Sequence, residues 1–194
     1  MFTGIIETLG TITAMVKDGS NVHFTLSSPI SRELKIDQSV AHNGVCLTVV
    51  ELGDGTHTVT AIDETMKKSC LADLHVNAVV NLERCMPANG RFDGHVVQGH
   101  IDQVGTIVSI EENNGSLVFT INHAKGENFT VNKGSITVNG VSLTCFDTTD
   151  TSFSVAIIPY TFENTCFHRL QVGHPVNLEF DIIGKYVARL MVKR

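Results

Sequence analysis

Asn43-Gly44-Val45-Cys46-Leu47-Thr48 returns 96 residues later as Asn139-Gly140-Val141-Ser142-Leu143-Thr144. Val80-Asn81-Leu82-Glu83 returns at the same offset as Val176-Asn177-Leu178-Glu179. The opening Gly4-Ile5-Ile6-Glu7-Thr8-Leu9-Gly10-Thr11-Ile12 returns one residue closer, as Gly99-His100-Ile101-Asp102-Gln103-Val104-Gly105-Thr106-Ile107. Solenoid periods run from about 20 to 50 residues, so a unit of this length is a domain. A chain of 194 residues then divides into halves, each large enough to bury its own core. Two similar domains imply two similar binding surfaces, and the chemistry is to be sought where the copies differ.

Outward from the repeat, strand signals dominate. Thr11–Val16 and Val22–Leu26 flank Asp18-Gly19, a hairpin signature, and Ile107–Ile110 and Leu117–Ile121 flank Asn114-Gly115, again 96 residues on. Val45–Glu51 and Thr56–Ile62 form a second hairpin around Gly53-Asp54-Gly55, matched by Val141–Phe146 and Phe153–Ile158. Six short strands per half suit a small antiparallel barrel or sandwich, and closure removes exposed edges. Short helical turns are expected at Ile30–Leu34, Thr65–Leu74 and Thr161–Leu170, and Pro87, Asn89 and Gly90 mark a linker. From Gly184 onward Tyr186, Val187, Leu190 and Met191 share one helical stripe, with Lys185, Arg189, Lys193 and Arg194 mostly elsewhere. Such a helix must bury its apolar side, and because both barrels are complete without it, a neighbouring chain is the expected partner.

Composition excludes several classes. Net charge is −6 with no basic block, which argues against nucleic acid or an anionic membrane as partner. Apolar content is 42% without a run long enough to span a bilayer, and no secretory signal is visible. Cys46, Cys70, Cys85, Cys145 and Cys166 are odd in number and lack a Cys-x-x-Cys pair, so neither a disulfide framework nor a zinc site is indicated. A reduced, cytoplasmic protein is the simplest reading. The nine histidines show no metal-ligand spacing, and no phosphate loop is present.

The copies disagree at a few polar positions. Cys46 becomes Ser142, Ile5 becomes His100, Asp37 becomes Lys133 and Glu64 becomes Tyr160, while Ser39/Ser135, Thr48/Thr144 and Thr65/Thr161 are shared. Shared hydroxyls suit two copies of one polar ligand, and unshared groups give the bound molecules different fates. Each also has a plain structural reading: an inert core thiol at Cys46, a structural imidazole at His100, a solvated turn at Lys133, and simple hairpin turns at the Asn-Gly pairs. Spacing alone stops at a duplicated β-barrel protein with a ligand pair.

The motifs go further. Met1-Phe2-Thr3-Gly4-Ile5-Ile6-Glu7, His42–Thr48, Gly94-His95-Val96-Val97-Gln98-Gly99-His100-Ile101-Asp102, Lys133-Gly134-Ser135-Ile136, Asn139–Thr144 and Ile158-Pro159-Tyr160-Thr161 closely resemble the riboflavin synthase family over essentially the whole chain. The resemblance implies an all-β fold of two similar six-stranded antiparallel Greek-key barrels plus a C-terminal α-helix. Residues 1–86 would form the first barrel, 87–92 the linker, 93–182 the second barrel, and 183–194 an oligomerisation helix. It implies a homotrimer, and it leaves room for association with lumazine synthase. The implied reaction joins two molecules of 6,7-dimethyl-8-ribityllumazine by four-carbon transfer, giving riboflavin and 5-amino-6-(ribitylamino)uracil with no metal or redox cofactor. The alternative in the same family group is a non-catalytic antenna protein that holds a lumazine or flavin without turning it over.

By the same resemblance the first barrel supplies Gly4, Ile5 and Ile6, then Cys46, Leu47 and Thr48, then Thr60, Ala61, Ile62, Asp63, Glu64 and Thr65 to the ligand. The second supplies Gly99, His100 and Ile101, then Lys133, then Ser142, Leu143 and Thr144, then Ala156, Ile157, Ile158, Pro159, Tyr160 and Thr161. Two positions depart from the family: Tyr160 stands where histidine or glutamate is expected, and Cys166 where threonine is. The chemistry needs two stacked heterocycles and a base for the C7 methyl proton. His100 is assigned as that base, acting directly or through a hydroxyl or water, Cys46 as its partner on the acceptor side, where a thiolate could add to the ring or assist proton movement, and Ser142 and Thr144 as catalytic hydroxyls.

Overall fold

Along Thr56–Ala61 the side chains alternate, with His57, Val59 and Ala61 buried and Thr56, Thr58 and Thr60 partly exposed. That period of two runs through most strands and puts one face of each sheet inside a closed wall. In the computed structural model, which describes residues 1–191, the first wall comprises β1 (Thr8–Asp18), β2 (Asn21–Ser27), β3 (Ser39–His42), β4 (Val45–Gly53), β5 (Thr56–Ala61) and, after the short helix α1 (Asp63–Lys68), β6 (Val79–Arg84). The second comprises β7 (Gln103–Asn113), β8 (Ser116–Asn122), β9 (Ser135–Val138), β10 (Val141–Phe146), β11 (Ser152–Ile157) and, after α2 (Pro159–Asn164), β12 (Pro175–Phe180). Both close as antiparallel barrels, in the order β1-β2-β5-β4-β3-β6 and its counterpart β7-β8-β11-β10-β9-β12. Phe24, Leu26, Val59 and Leu82 are among the side chains that fill the first barrel, and Phe119, Ile121, Phe153 and Phe167 among those that fill the second.

Two sequence expectations shift. In the first hairpin Asp18 pairs with Asn21, so the turn is Gly19-Ser20 and not Asp18-Gly19. Its counterpart is Asn114-Gly115, between Asn113 and Ser116. The 95-residue offset of the opening segment therefore persists through the first hairpin and becomes 96 only before β3 and β9. The C-terminal helix α3 (Ile182–Met191) begins earlier than its polar pattern indicates, and the expected helical positions 192–194 lie outside the described residues. None of its residues is buried; Tyr186 is 66% and Leu190 69% exposed. Lys185 on α3 forms an ion pair with Asp102, whose carboxylate also accepts the Phe180 N–H.

The barrels meet at the repeated Asn-Gly turns. Asn43 and Asn139 both hold the left-handed backbone, with φ of 46° and 49°. Gly44 lies against Gly140, and a Cβ on either would sit 2.7 Å from the other's nitrogen. So these dipeptides are hairpin turns and also the point where the two halves touch.

The first barrel carries a polar chain that the second lacks. His42 Nε2 and His57 Nε2 are 3.0 Å apart, His57 Nδ1 lies 2.8 Å from Ser31 Oγ, and Ser31 Oγ lies 2.8 Å from Ser28 Oγ. His42 Nδ1 donates to the Val40 carbonyl at 3.0 Å. One proton per imidazole satisfies the chain: His57 donates to His42, Ser31 donates to His57, and Ser28 donates to Ser31. Burial lowers the His42 pKa to about 3 and that of His57 to about 4. An unfolded imidazole binds its proton below about pH 6.5, so between there and about pH 4 the unfolded chain holds more protons and stability falls with falling pH. Replacing the pair with its second-barrel counterparts (His42→Val with His57→Phe, after Val138 and Phe153) removes this dependence. Urea unfolding at pH 7 and pH 5 is expected to show a stability loss smaller by at least about 2 kcal/mol in the double variant. Equal losses in the two proteins would refute the neutral-pair assignment.

Candidate active site

Each half opens with a segment that leaves its own barrel. The Phe2 and Val97 backbones pair, with N···O distances of 2.8 and 3.1 Å. The Gly4 carbonyl then accepts the Ser142 N–H from β10 at 2.8 Å, and the Gly99 carbonyl accepts the Cys46 N–H from β4 at 2.8 Å. Both glycines are left-handed, at φ of 77° and 82°, and a Cβ on either would lie 2.6 Å from the Cβ of its partner residue. Only glycine tolerates that backbone and that approach together. Beyond them Ile6 packs on the second core and Ile101 on the first.

This crossing corrects the grouping drawn from the sequence. Gly4, Ile5 and Ile6 serve the second barrel, while Gly99, His100 and Ile101 serve the first. The thiol and the imidazole therefore belong to one cup, although they come from different halves.

In the first cup, Cys46 and Thr48 point outward from β4, opposite Ala41 and Ser39 of β3. Thr60 follows on β5, its hydroxyl 2.8 Å from His23 Nδ1. Ile62 is exposed after β5, and Asp63, Glu64 and Thr65 open α1, where Asp63 pairs with Lys67 and Glu64 with Lys68. By the repeat, His100 takes on this barrel the exposed place that Ile5 takes on the other. Beside the cup lies a recess of about 350 Å³ lined by residues that include Ser39, Arg84 and Cys85.

The second cup is a cavity of about 610 Å³ whose wall includes Ile5, Lys133, Ser142, Thr144, Ala156 and Ile158. A recess of about 460 Å³ that shares Ile5, Ser142 and Thr161 with it adds Gly4, Ile6 and Tyr160. Lys133 holds a left-handed turn at φ 67°, and Tyr160 follows Pro159 at the start of α2. Leu47, Ala61 and Ile157 carry their side chains in the barrel cores, so only their backbone faces outward. Leu143 is partly buried against the second core.

Burial pushes the Cys46 thiol pKa up, with a hydrogen bond to Ser39 opposing. The sulfur is therefore a thiol at neutral pH, so the thiolate considered from the sequence for ring addition or proton movement is not its resting form. In the second cup the corresponding Ser142 is held by a residue that the sequence reasoning passed over: His95 Nδ1 lies 2.7 Å from Ser142 Oγ. Burial lowers the His95 pKa while the Asp181 charge opposes the shift, so the neutral ring can accept the serine proton. Its presence in the quoted Gly94-His95-Val96 motif was the available signal.

Two further residues missed by the sequence reasoning anchor the crossing segments. The buried Glu83 carboxylate accepts the N–H groups of Thr3 and Gly4, and the buried Glu179 carboxylate accepts those of Gln98, Gly99 and His100. Both stood inside the repeated Val-Asn-Leu-Glu. Among the described residues no group of three or more His, Cys, Asp or Glu side chains is placed to hold a metal.

Residues 3–85 and 98–181 each match the lumazine binding domain family. Over its full length the chain is 42% identical to the riboflavin synthase of Actinobacillus pleuropneumoniae and 43% identical to that of Bacillus subtilis (strain 168), covering 91% of each. This chain belongs to the riboflavin synthase family. The fold is also that of LumP complexed with riboflavin, at TM-score 0.84 and 26% identity over 93% of this chain and 99% of that one. LumP complexed with 6,7-dimethyl-8-(1'-D-ribityl) lumazine gives a TM-score of 0.82 at 25% identity, with the same coverage.

The contact between Gly99 and Cys46 yields a direct test. Gly99→Ala adds a side chain at positive φ against the Cys46 Cβ, whereas Gly126→Ala meets nothing within 4 Å. A strained backbone site of this kind costs about 1–3 kcal/mol. Urea unfolding is expected to show a loss in that range for Gly99→Ala and less than about 0.5 kcal/mol for Gly126→Ala.

Proposed function

We propose that the chain works as a riboflavin synthase, each cup holding one 6,7-dimethyl-8-ribityllumazine. A four-carbon unit passes from one bound molecule to the other, giving riboflavin and 5-amino-6-(ribitylamino)uracil. The observation that carries this reading is the pairing of alike cups with unlike polar groups. The first offers the Cys46 thiol and the His100 imidazole; the second offers Lys133 and the Ser142–His95 pair. Matching walls bind the same molecule twice, and unlike groups commit one copy to donate and the other to accept.

Holding two heterocycles as a near-attack pair can be worth about 7–11 kcal/mol. His100 stands on the rim of the first cup and takes the proton from the 7-methyl of the donor ring, whose ring system spreads the resulting negative charge. Cys46, brought into the same cup by the crossing and kept as a thiol, gives its hydrogen bond to that donor ring and not to the acceptor. Ser142 and Thr144 hold the ring edge in the second cup, with His95 receiving the Ser142 proton. Tyr160 closes that cup with a phenol in place of a carboxylate or imidazole.

The reacting pair forms between the first-barrel cup of one subunit and the second-barrel cup of the next, in a homotrimer. The exposed apolar face of α3 supports this, since Ile183, Tyr186, Leu190 and Met191 lack cover within the described chain. Five free thiols fit a reducing, cytoplasmic setting.

Turnover separates this reading from that of a protein that only holds a lumazine, because the enzyme forms riboflavin from the lumazine alone. His100→Gln is expected to lower kcat about 100-fold and to slow exchange of the 7-methyl protons in parallel. Retention of both rates within a few-fold would remove His100 as the base. Sedimentation is expected to give three subunits per particle, and Leu190→Glu is expected to yield monomers with little turnover.

A further inference from the structure

The segments that complete the cups are irregular backbone, and something must fix them. Apart from the Phe2–Val97 bridge, each is tied to the barrel it serves by a glycine carbonyl, through Gly4 to Ser142 and Gly99 to Cys46. Where each segment runs on into its strand, the Glu7 N–H bonds the Leu82 carbonyl and the Asp102 N–H the Leu178 carbonyl. Around the glycine itself the further anchor is a buried carboxylate on the other barrel. Glu179 of β12 accepts the Gln98 N–H through Oε1 at 2.7 Å, and the Gly99 and His100 N–H groups through Oε2 at 2.9 and 3.1 Å. Glu83 of β6 accepts the Thr3 N–H and hydroxyl through Oε1 at 2.7 and 3.0 Å, and the Gly4 N–H through both oxygens at 3.2 and 3.0 Å. Successive N–H groups around a left-handed glycine converge into an anion-binding nest, and here a side chain of the same protein fills it.

We propose that Glu179 is the positioning residue for the first-barrel cup and Glu83 for the second, each acting from the barrel that does not carry the cup it shapes. The proposal rests on the reading that each cup holds a lumazine. Charge is needed as well as shape. An amide in place of the carboxylate turns an NH2 toward backbone N–H groups, leaving donors facing donors in a buried site. Burial raises the Glu179 pKa, and the N–H groups of Gln98 and Gly99 and the Lys185 charge on α3 oppose that shift, so the first cup is linked to the seating of the C-terminal helix.

The prediction is crossed, and a merely structural role does not give that result. Damage local to Glu179 would strike the second barrel, on which it stands; loss of positioning strikes the first. The probe is 8-ribityllumazine lacking the 7-methyl group, which cannot begin the reaction, titrated calorimetrically into the full chain. Thr144→Trp fills the second cup and leaves the first to be measured alone; Thr48→Trp does the reverse. Glu179→Gln is expected to weaken binding at least tenfold in the first cup and less than twofold in the second, and Glu83→Gln to give the opposite pattern. Should either glutamine variant fail to fold, the corresponding aspartate, which keeps the charge and shortens the reach, carries the same comparison. Equal weakening of both cups, or weakening only of the cup on the substituted residue's own barrel, would overturn the positioning assignment while leaving the ligand reading intact. A parent chain that binds no probe in either cup would overturn both.

Discussion

Four buried asparagines hold the halves in register. Asn43 and Asn81 bond each other, the Asn43 N–H to the Asn81 carbonyl at 2.9 Å and the Asn81 N–H to Asn43 Oδ1 at 2.8 Å. The Asn81 side chain then crosses over, donating from Nδ2 to the Asn139 carbonyl at 2.9 Å and accepting the Cys166 N–H at 2.7 Å. Asn139 and Asn177 repeat each of these bonds in reverse, onto Asn43 and Cys70. A buried amide with its partners in place specifies one geometry; the same amide with a partner removed costs about 1–3 kcal/mol. The lattice therefore does more than add stability. It fixes β3, β4 and β6 of one barrel against β9, β10 and β12 of the other, and those strands carry the cups.

The crossing segments depend on that register. Gly99 can reach Cys46 at 2.8 Å only if the barrels sit as the asparagines place them, and the same holds for Gly4 and Ser142. Each cup is consequently composite, with a floor from one half and a rim from the other. The unlike groups seen in the repeat, a thiol in the first copy and an imidazole in the second, are thus brought to one cup. Lys133 and Ser142, both from the second copy, face the other.

Much of this was legible in the sequence. The repeat set the number of barrels, strand alternation set their cores, and the Asn-Gly pairs marked turns. The apolar stripe of Tyr186 and Leu190 marked a helix that nothing among the described residues covers. The crossing was not legible, because the offset between copies is the same whether a segment serves its own barrel or its neighbour. Asn81 and Glu83 were visible as repeated letters only; a hydrogen bond to a residue 58 or 80 positions away leaves no periodic trace. Strand alternation alone would have set Leu47, Ala61 and Ile157 inside, and reading whole tripeptides as ligand contacts obscured it. His95 was hidden for a different reason: its role is defined by Ser142, 47 residues downstream.

The exchange of opening segments also bears on how such a chain arose. A single half, standing alone, would own a cup without its rim and a rim without its cup. Two such halves could complete each other only by trading arms, as domain-swapped dimers do. Joining them end to end turns that trade into an event within one molecule, where the effective concentration of each arm no longer depends on how many copies the cell makes. Fusion then frees the two sequences to drift apart, and a thiol could face an imidazole in one pocket while a serine faced a lysine in the other.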